Sequence, residues 1–238
     1  MLPIQGDGSL GPACDSHQHT GSSVNPRRQQ EPHAHSANLA PDNRFVFIAD
    51  LGLDRVMAYR LDLTAGRFPP NDPPWATLHG GAGPRHMAFH PSGRTAYVIN
   101  ELDSTLTVFA YDPERGAPTE IQTITTLPEG FDGTSYPADV HVSQDGRFVY
   151  GSNRGHDSIV TCAVDAAGGK LSLVGHTSAH GEYPRNFNID PTGRWMYVAN
   201  QNSDNVVTYR IDPESGIPEA TGEQIEVPIP VCVQFLSI

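Results

Sequence analysis

Four stretches of the chain repeat one pattern, and this repetition limits the possible folds more than any other feature. They read ANLAPDNRFVFIADLGLDRVMAYRLD, AFHPSGRTAYVINELDSTLTVFAYD, HVSQDGRFVYGSNRGHDSIVTCAVD and NIDPTGRWMYVANQNSDNVVTYRID. The turn arginines Arg44, Arg94, Arg147 and Arg194 lie 50, 53 and 47 residues apart. From Asp50, Asn100, Asn153 or Asn200 to the closing Asp62, Asp112, Asp165 or Asp212 the interval is always twelve. Each copy carries three β-branched and aromatic runs separated by turn residues, which read as strands. A fourth run follows each closing Asp, as in KLSLVGHTS at 170–178. Four antiparallel strands repeated about every 50 residues is the pattern of β-propeller blades. One large β-sandwich would use the same strand chemistry but has no reason for so regular a period.

The composition agrees. Gly (23) and Pro (21) supply more turn punctuation than a helical protein tolerates. A formal charge of −12 with only 15 Lys and Arg excludes a nucleic-acid or membrane partner as an expectation, because such surfaces are met by clustered basic residues. The three cysteines, Cys14, Cys162 and Cys232, form no metal-ligand spacing and read as core filler in a reducing compartment. With no basic region leading into an apolar run, the chain reads as cytoplasmic.

The hairpin made by the first two strands of each blade places the site. The residue opening strand one and the residue following strand two share the end opposite the Pro-x-Gly-Arg-like turn. Since the first strand of a blade is innermost, that end faces the mouth of the central channel. Nine residues before each turn arginine stand His35, Arg85, Ala138 and Arg185, and after strand two stand Leu51, Glu101, Arg154 and Gln201. The equivalent positions differ while their surroundings repeat, which is where function is expected to have been added. His35, Arg85, Glu101, Arg154 and Arg185 should therefore converge, and a carboxylate among guanidiniums suits hydrolysis or proton transfer on a small anionic substrate. An inter-blade salt-bridge network is the structural alternative. The four turn arginines belong to the opposite face and recur in every copy, so they read as structural.

His17, His19, His33 and His35 form two His-x-His pairs, but no third ligand is identifiable by spacing, so no metal is assigned. His33 and His19 join Arg185 as substrate-binding candidates, because alternate residues of a strand face one side. His86, His90, His141 and His156 read as packing or surface residues. LPEGFDGTSYPADVHV, holding Glu129, Asp132 and Asp139, reads as a lid or a decorated loop. No nucleophile elbow, phosphate loop or dinucleotide fingerprint is present, which disfavours ATP or NAD chemistry.

PHAH at 32–35, GPRH at 83–86, NELDS at 100–104, LPEGFDG at 127–133, SNRGHDS at 152–158, YPRNF at 183–187 and ANQNSDN at 199–205 resemble the lactonase family of seven-bladed propellers. That family includes propeller-type 6-phosphogluconolactonases and fungal 3-carboxymuconate cyclases. The resemblance implies catalytic roles for His35, Arg85, Glu101 and Arg154, with Arg185 resting on geometry and its YPRNF motif. It also implies that no cofactor is needed.

The expected fold is an all-β propeller of this type, forming a single domain over residues 1–238. Seven blades need roughly 350 residues, so four full blades are expected with partial ones at each end and about two N-terminal blades lacking. PVCVQFLSI should start a further first strand, and MLPIQGDGSLGPACDSHQ should close a preceding blade. The expected activity is hydrolysis of a sugar lactone such as 6-phosphogluconolactone. The alternatives are a cycloisomerase acting on 3-carboxymuconate and a non-catalytic binding propeller.

Overall fold

The computed structural model describes residues 1–236, and sixteen strands form four antiparallel sheets of four, each running in sequence order. Blade one comprises β1 (Ala34–Leu39), β2 (Phe45–Asp50), β3 (Arg55–Arg60) and β4 (Pro70–Thr77), and blade two comprises β5 (Pro84–Phe89), β6 (Thr95–Asn100), β7 (Thr105–Asp112) and β8 (Ala117–Thr125). Blade three holds β9 (Tyr136–Val142), β10 (Phe148–Arg154), β11 (Ser158–Val164) and β12 (Leu171–Ser178), and blade four holds β13 (Pro184–Ile189), β14 (Trp195–Asn200), β15 (Asn205–Ile211) and β16 (Pro218–Glu226). The first strands β1, β5, β9 and β13 pack one against the next, whereas β16 is exposed along nearly all its length. First strands are thus inner and fourth strands outer.

The core lies between blades, not within them. Phe45, Phe47, Val56, Met87, Val98 and Phe109 fill the seam between blades one and two. Tyr97, Ile99, Val108, Val149 and Val160 fill the next, and Tyr150, Ile159, Phe187, Val198 and Tyr209 the third. In a chain built of strands alone, stacking each sheet on its neighbours buries both of its faces.

Recurrent latches tie each blade to its successor. The residue four after Asp50, Asn100, Asn153 or Asn200, namely Asp54, Ser104, Asp157 or Asp204, adopts a left-handed backbone with φ between 51 and 58°. Its carbonyl accepts the amide of Leu78, Thr126, Ala179 or Val227 where the chain leaves the blade. Its side chain then grips the segment leading into the next blade. Asp54 accepts the amides of Gly81 and Gly83 at 2.7 Å each, and Asp157 accepts that of Tyr183 at 2.9 Å. On the opposite face, Arg44 and Arg147 pair with Asp42 and Asp145 and donate to the carbonyls of Pro113 and Pro213 in the following blade, at 2.5 Å in each case. These two turn arginines thus act as structural latches.

Gly216, in the turn between β15 and β16, shows how close the blades come. Its φ is 73°, and a Cβ there would stand 2.5 Å from the ring of Phe148 in blade three. Gly216→Ala therefore combines a left-handed backbone with a clash against a buried aromatic, and is expected to destabilise the fold by about 2 kcal/mol or more. A lower urea midpoint at unchanged m-value is the expected readout, and an unshifted midpoint would contradict the close packing.

The two ends differ in part from expectation. Residues 1–14 form a small hairpin, with an Ile4–Leu10 bridge and the Cys14 amide bonded to the Met1 carbonyl, but no regular strand. Near the C-terminus, the Val233 amide and carbonyl bond to the side chains of Asn186 and Asn188 at 2.6 and 3.0 Å. This segment lies along β13, where a further first strand would sit, without strand geometry. Cys162 is buried as core filler, whereas Cys14 and Cys232 are exposed, because both lie in these irregular ends.

Candidate active site

The first strand of every blade carries a β-bulge at its channel-mouth end. Pairing slips between Ala34 and Ser36, between Pro84 and His86, and between Pro184 and Asn186, leaving His35, Arg85 and Arg185 as the extra residues. In blade three, Ala138 and Asp139 together oppose Ser152. A proline precedes the bulge in three blades, where a missing N–H costs little because a strand is just beginning. In a regular strand neighbouring side chains point to opposite faces, whereas a bulge re-aims them. The Arg85 Nη1 and His86 Nε2 atoms consequently come within 3.3 Å.

Glu101 is the centre of the cluster. It follows β6, and its Oε2 accepts Arg85 Nε at 3.0 Å and Arg154 Nη2 at 2.7 Å. Its Oε1 accepts Arg28 Nη2 at 2.5 Å. Arg85, Glu101 and Arg154 are only 2%, 5% and 3% exposed. Arg154 is held further by the carbonyls of Tyr136 and Pro137 and lies over the Tyr183 ring, 5.1 Å from its centroid. Arg85 also donates to the carbonyl of Ala138.

These contacts set the charges. Burial alone would raise the Glu101 carboxyl, but Arg154, Arg28 and Arg85 outweigh it and bring its pKa down to about 2. Burial and the nearby Arg154 lower Arg85 to about 10, so it stays cationic at neutral pH. Glu101 therefore contributes stability that is complete above its unfolded pKa of about 4.5 and is lost as the pH falls toward 2. The stability difference between wild type and Glu101→Gln should be largest above pH 4.5 and shrink on acidification. Urea melts at several pH values measure it, and a difference that grew with acid would contradict the pairing.

Sequence reasoning placed His35, Arg85, Glu101, Arg154 and Arg185 together, and the structure brings them to one end of the inner strands. The His35 and His86 rings lie 5.2 Å apart. His35 is exposed as a residue, yet partial desolvation of its ring and the charges of Arg85 and His86 push its pKa well below the ordinary histidine value. The positive charge of Arg185 acts on both His35 and Arg85. Among the described residues, Arg185 has no ion-pair partner and its side chain makes no hydrogen bond.

Two substrate-binding candidates are corrected or reduced. Both ring nitrogens of His19 are engaged, by Asp50 at 2.5 Å and Tyr59 at 2.8 Å, and its side chain is nearly buried against blade one. It fastens the N-terminal segment and has no free nitrogen for a substrate. His33 is exposed and enters the fold through its backbone, with its amide on Asp50 at 2.8 Å and its carbonyl accepting from Leu51.

Sequence reasoning missed Arg28, His86, Asp139, His141 and Asn186. Arg28 sits on the irregular segment before blade one, anchored by the fully buried Gln29, whose amide donates to Asp54 and the Leu51 carbonyl. Asp139, expected on a lid or a decorated loop, lies in β9, and of the three carboxylates of that segment Glu129 and Asp132 are exposed on the preceding loop. Its Oδ1 pairs with His86 Nδ1 at 2.6 Å, while its Oδ2 meets Asn186 Nδ2 at 2.5 Å and His141 Nε2 at 3.2 Å. Burial would raise its pKa, but His141 and His86 outweigh it and keep Asp139 ionised. His86, Asp139 and Asn186 are equivalent residues of successive blades, one position after the bulge, and the all-polar series Ser36, His86, Asp139, Asn186 was the available signal. Among the described residues no group of His, Cys, Asp or Glu is placed to hold a metal.

Bladed sheets around an axis, with guanidiniums gathered about a buried carboxylate at the channel mouth, define a β-propeller with a polar site at one end. The sequence profile described as "Lactonase, 7-bladed beta-propeller" matches residues 1–235, and the chain belongs to this family. It is 38% identical over 242 residues to a 6-phosphogluconolactonase of Bacillus subtilis, covering 99% of this chain and 66% of that one. A 6-phosphogluconolactonase of Serratia proteamaculans is 41% identical over 142 residues, 60% of this chain and 43% of that one. The periplasmic gluconolactonase of Pseudomonas aeruginosa superposes with a TM-score of 0.92 at 40% identity, covering 99% of this chain and 65% of that structure. The chain thus spans just under two thirds of the length of the first and last of these.

Proposed function

We propose that this protein opens a sugar lactone by hydrolysis at the channel mouth, with a phosphorylated lactone such as 6-phosphogluconolactone as the leading substrate. The observation that carries the reading is the charge balance of the cluster. Four guanidiniums, from Arg28, Arg85, Arg154 and Arg185, gather near two carboxylates, from Glu101 and Asp139, and among the described residues Arg185 is the one of the four with no ion-pair partner. A site built this way favours an anion, and a guanidinium fork suits phosphate or carboxylate oxygens.

In this reading Arg185 takes the anionic group, while Arg85 and Arg154 face the lactone carbonyl and stabilise the oxyanion formed when water adds. Glu101 keeps those guanidiniums ionised and in place. His35 and His33 line the exposed rim against the substrate. Relatives named as 6-phosphogluconolactonase and gluconolactonase support this choice of chemistry. A cytoplasmic location belongs to the proposal and is supported by three free thiols; no helix among the described residues is long and apolar enough to cross a membrane.

The test is a substrate comparison at equal protein concentration. 6-Phosphogluconolactone should be hydrolysed with a lower KM than unphosphorylated gluconolactone, and Arg185→Ala should erase that difference. Turnover of 3-carboxymuconate to its lactone, with no lactone hydrolysis, would replace hydrolysis by cycloisomerisation. Binding without turnover of any of the three would make the propeller a binding module.

A further inference from the structure

Hydrolysis of a lactone needs an acceptor for the water proton, and the residues gathered around Glu101 do not provide a good one. Glu101 accepts from three guanidiniums, two on Oε2 and one on Oε1, which makes it a weak base. Among the described residues, the His35 ring has no hydrogen bond to fix which nitrogen carries the proton. His86 differs from both in its setting. Its Nδ1 stands 2.6 Å from Asp139 Oδ1, and Asp139 is itself fixed by Asn186, His141 and the Val140 amide at 3.0 Å. A buried, ionised carboxylate on Nδ1 fixes the Nδ1–H tautomer and leaves the lone pair on Nε2.

That lone pair points at Arg85. The Nε2 to Nη1 separation of 3.3 Å is at the long end for a hydrogen bond, so the lone pair is only weakly engaged and stays able to accept from a water beside the guanidinium. Arg85 Nη2 has no partner among the described residues. A donor for the carbonyl oxygen and an acceptor for the water proton therefore stand side by side, as addition of water across a C=O bond requires. The His86 side chain is 28% exposed, so it opens toward the channel while Asp139 stays buried.

We propose that His86 is the proton-transfer residue of this site and Asp139 its positioning residue, an inference that rests on the lactonase reading above. Water gives its proton to His86 Nε2 as its oxygen bonds to the lactone carbonyl carbon, and the carbonyl electrons move to an oxyanion held by Arg85. The oxyanion then re-forms the C=O bond and the ring C–O bond breaks. The departing alkoxide takes the proton from the His86 imidazolium, giving the open hydroxy acid and returning His86 to its neutral form.

The test uses the full chain with 6-phosphogluconolactone. His86→Ala should lower kcat by about 10²–10⁴-fold with KM within a few-fold, and added imidazole should restore turnover saturably. His86→Gln, which keeps the side-chain size, should lose as much without rescue. Asp139→Asn should lower kcat by at least about 10²-fold. Nitrogen-15 histidine spectra of the resting wild type should show His86 protonated on Nδ1, and Asp139→Asn should shift that tautomer. Folded His86→Ala with wild-type kcat, or loss of activity that imidazole does not restore, would overturn the proposal while leaving the lactonase reading intact. A wild type that hydrolyses no lactone would defeat that reading instead. In that case an Nε2–H tautomer at His86 would independently overturn this assignment.

Discussion

Glu101→Gln should lose both activity and stability, and the stability loss should be among the largest that a single isosteric change can cause here. The amide keeps the shape of Glu101 but removes the charge that neutralises Arg28, Arg85 and Arg154, and turns an N–H donor toward guanidinium donors. Removing one partner of a buried ion pair costs about 3–5 kcal/mol, because the remaining charge is left desolvated and uncompensated. Arg85 and Arg154 are almost fully buried and cannot move into water without disturbing β5 and β10. The expected result is a urea midpoint shifted by that amount, with kcat for lactone hydrolysis lower by at least about 10²-fold. A folded Glu101→Gln protein with unchanged hydrolysis would remove Glu101 from the account.

Arg85→Lys should reduce kcat by about 10²–10³-fold, the usual cost of losing one oxyanion donor. Arg85 makes three different contacts at once, to Glu101 through Nε and to the Ala138 carbonyl and His86 through Nη1. A lysine ammonium is a point charge that cannot span three such directions. Charge is conserved in this variant, so a drop in kcat with KM changed only a few-fold would show that the fork geometry matters. Activity within about two-fold of wild type would show that only the positive charge is needed.

The blades were legible in the sequence because their period is carried by residues with strong local preferences. The turn residues Asn43, Gly93, Gly146 and Gly193, the arginines after them and the alternating strands fix each hairpin, and β2, β6, β10 and β14 follow the expected runs. The same hairpin logic placed Arg85, Glu101, Arg154 and Arg185 together. The bulge was not visible, since pairing slips by one residue only once the strands are laid side by side. Counting from the turn therefore found Arg85 and overlooked His86, which in an unbulged strand would face away. Asp139 was hidden similarly, behind a long Gly- and Pro-containing loop that disguised the start of β9. Arg28 had no local signal at all, because its place depends on Gln29 and Asp54 docking an irregular segment against two blades. His19 misled for the converse reason. Its His-x-His spacing suggested function, while its actual partners, Asp50 and Tyr59, are brought to it only by the folded blade.

The most direct test of the account is the rate at which purified chain hydrolyses 6-phosphogluconolactone, followed as acid release in a pH-stat against the spontaneous reaction. The wild type should accelerate hydrolysis saturably, and folded Arg85→Lys at the same concentration should lose that acceleration. A wild-type rate equal to the spontaneous one, with the protein folded, would contradict it.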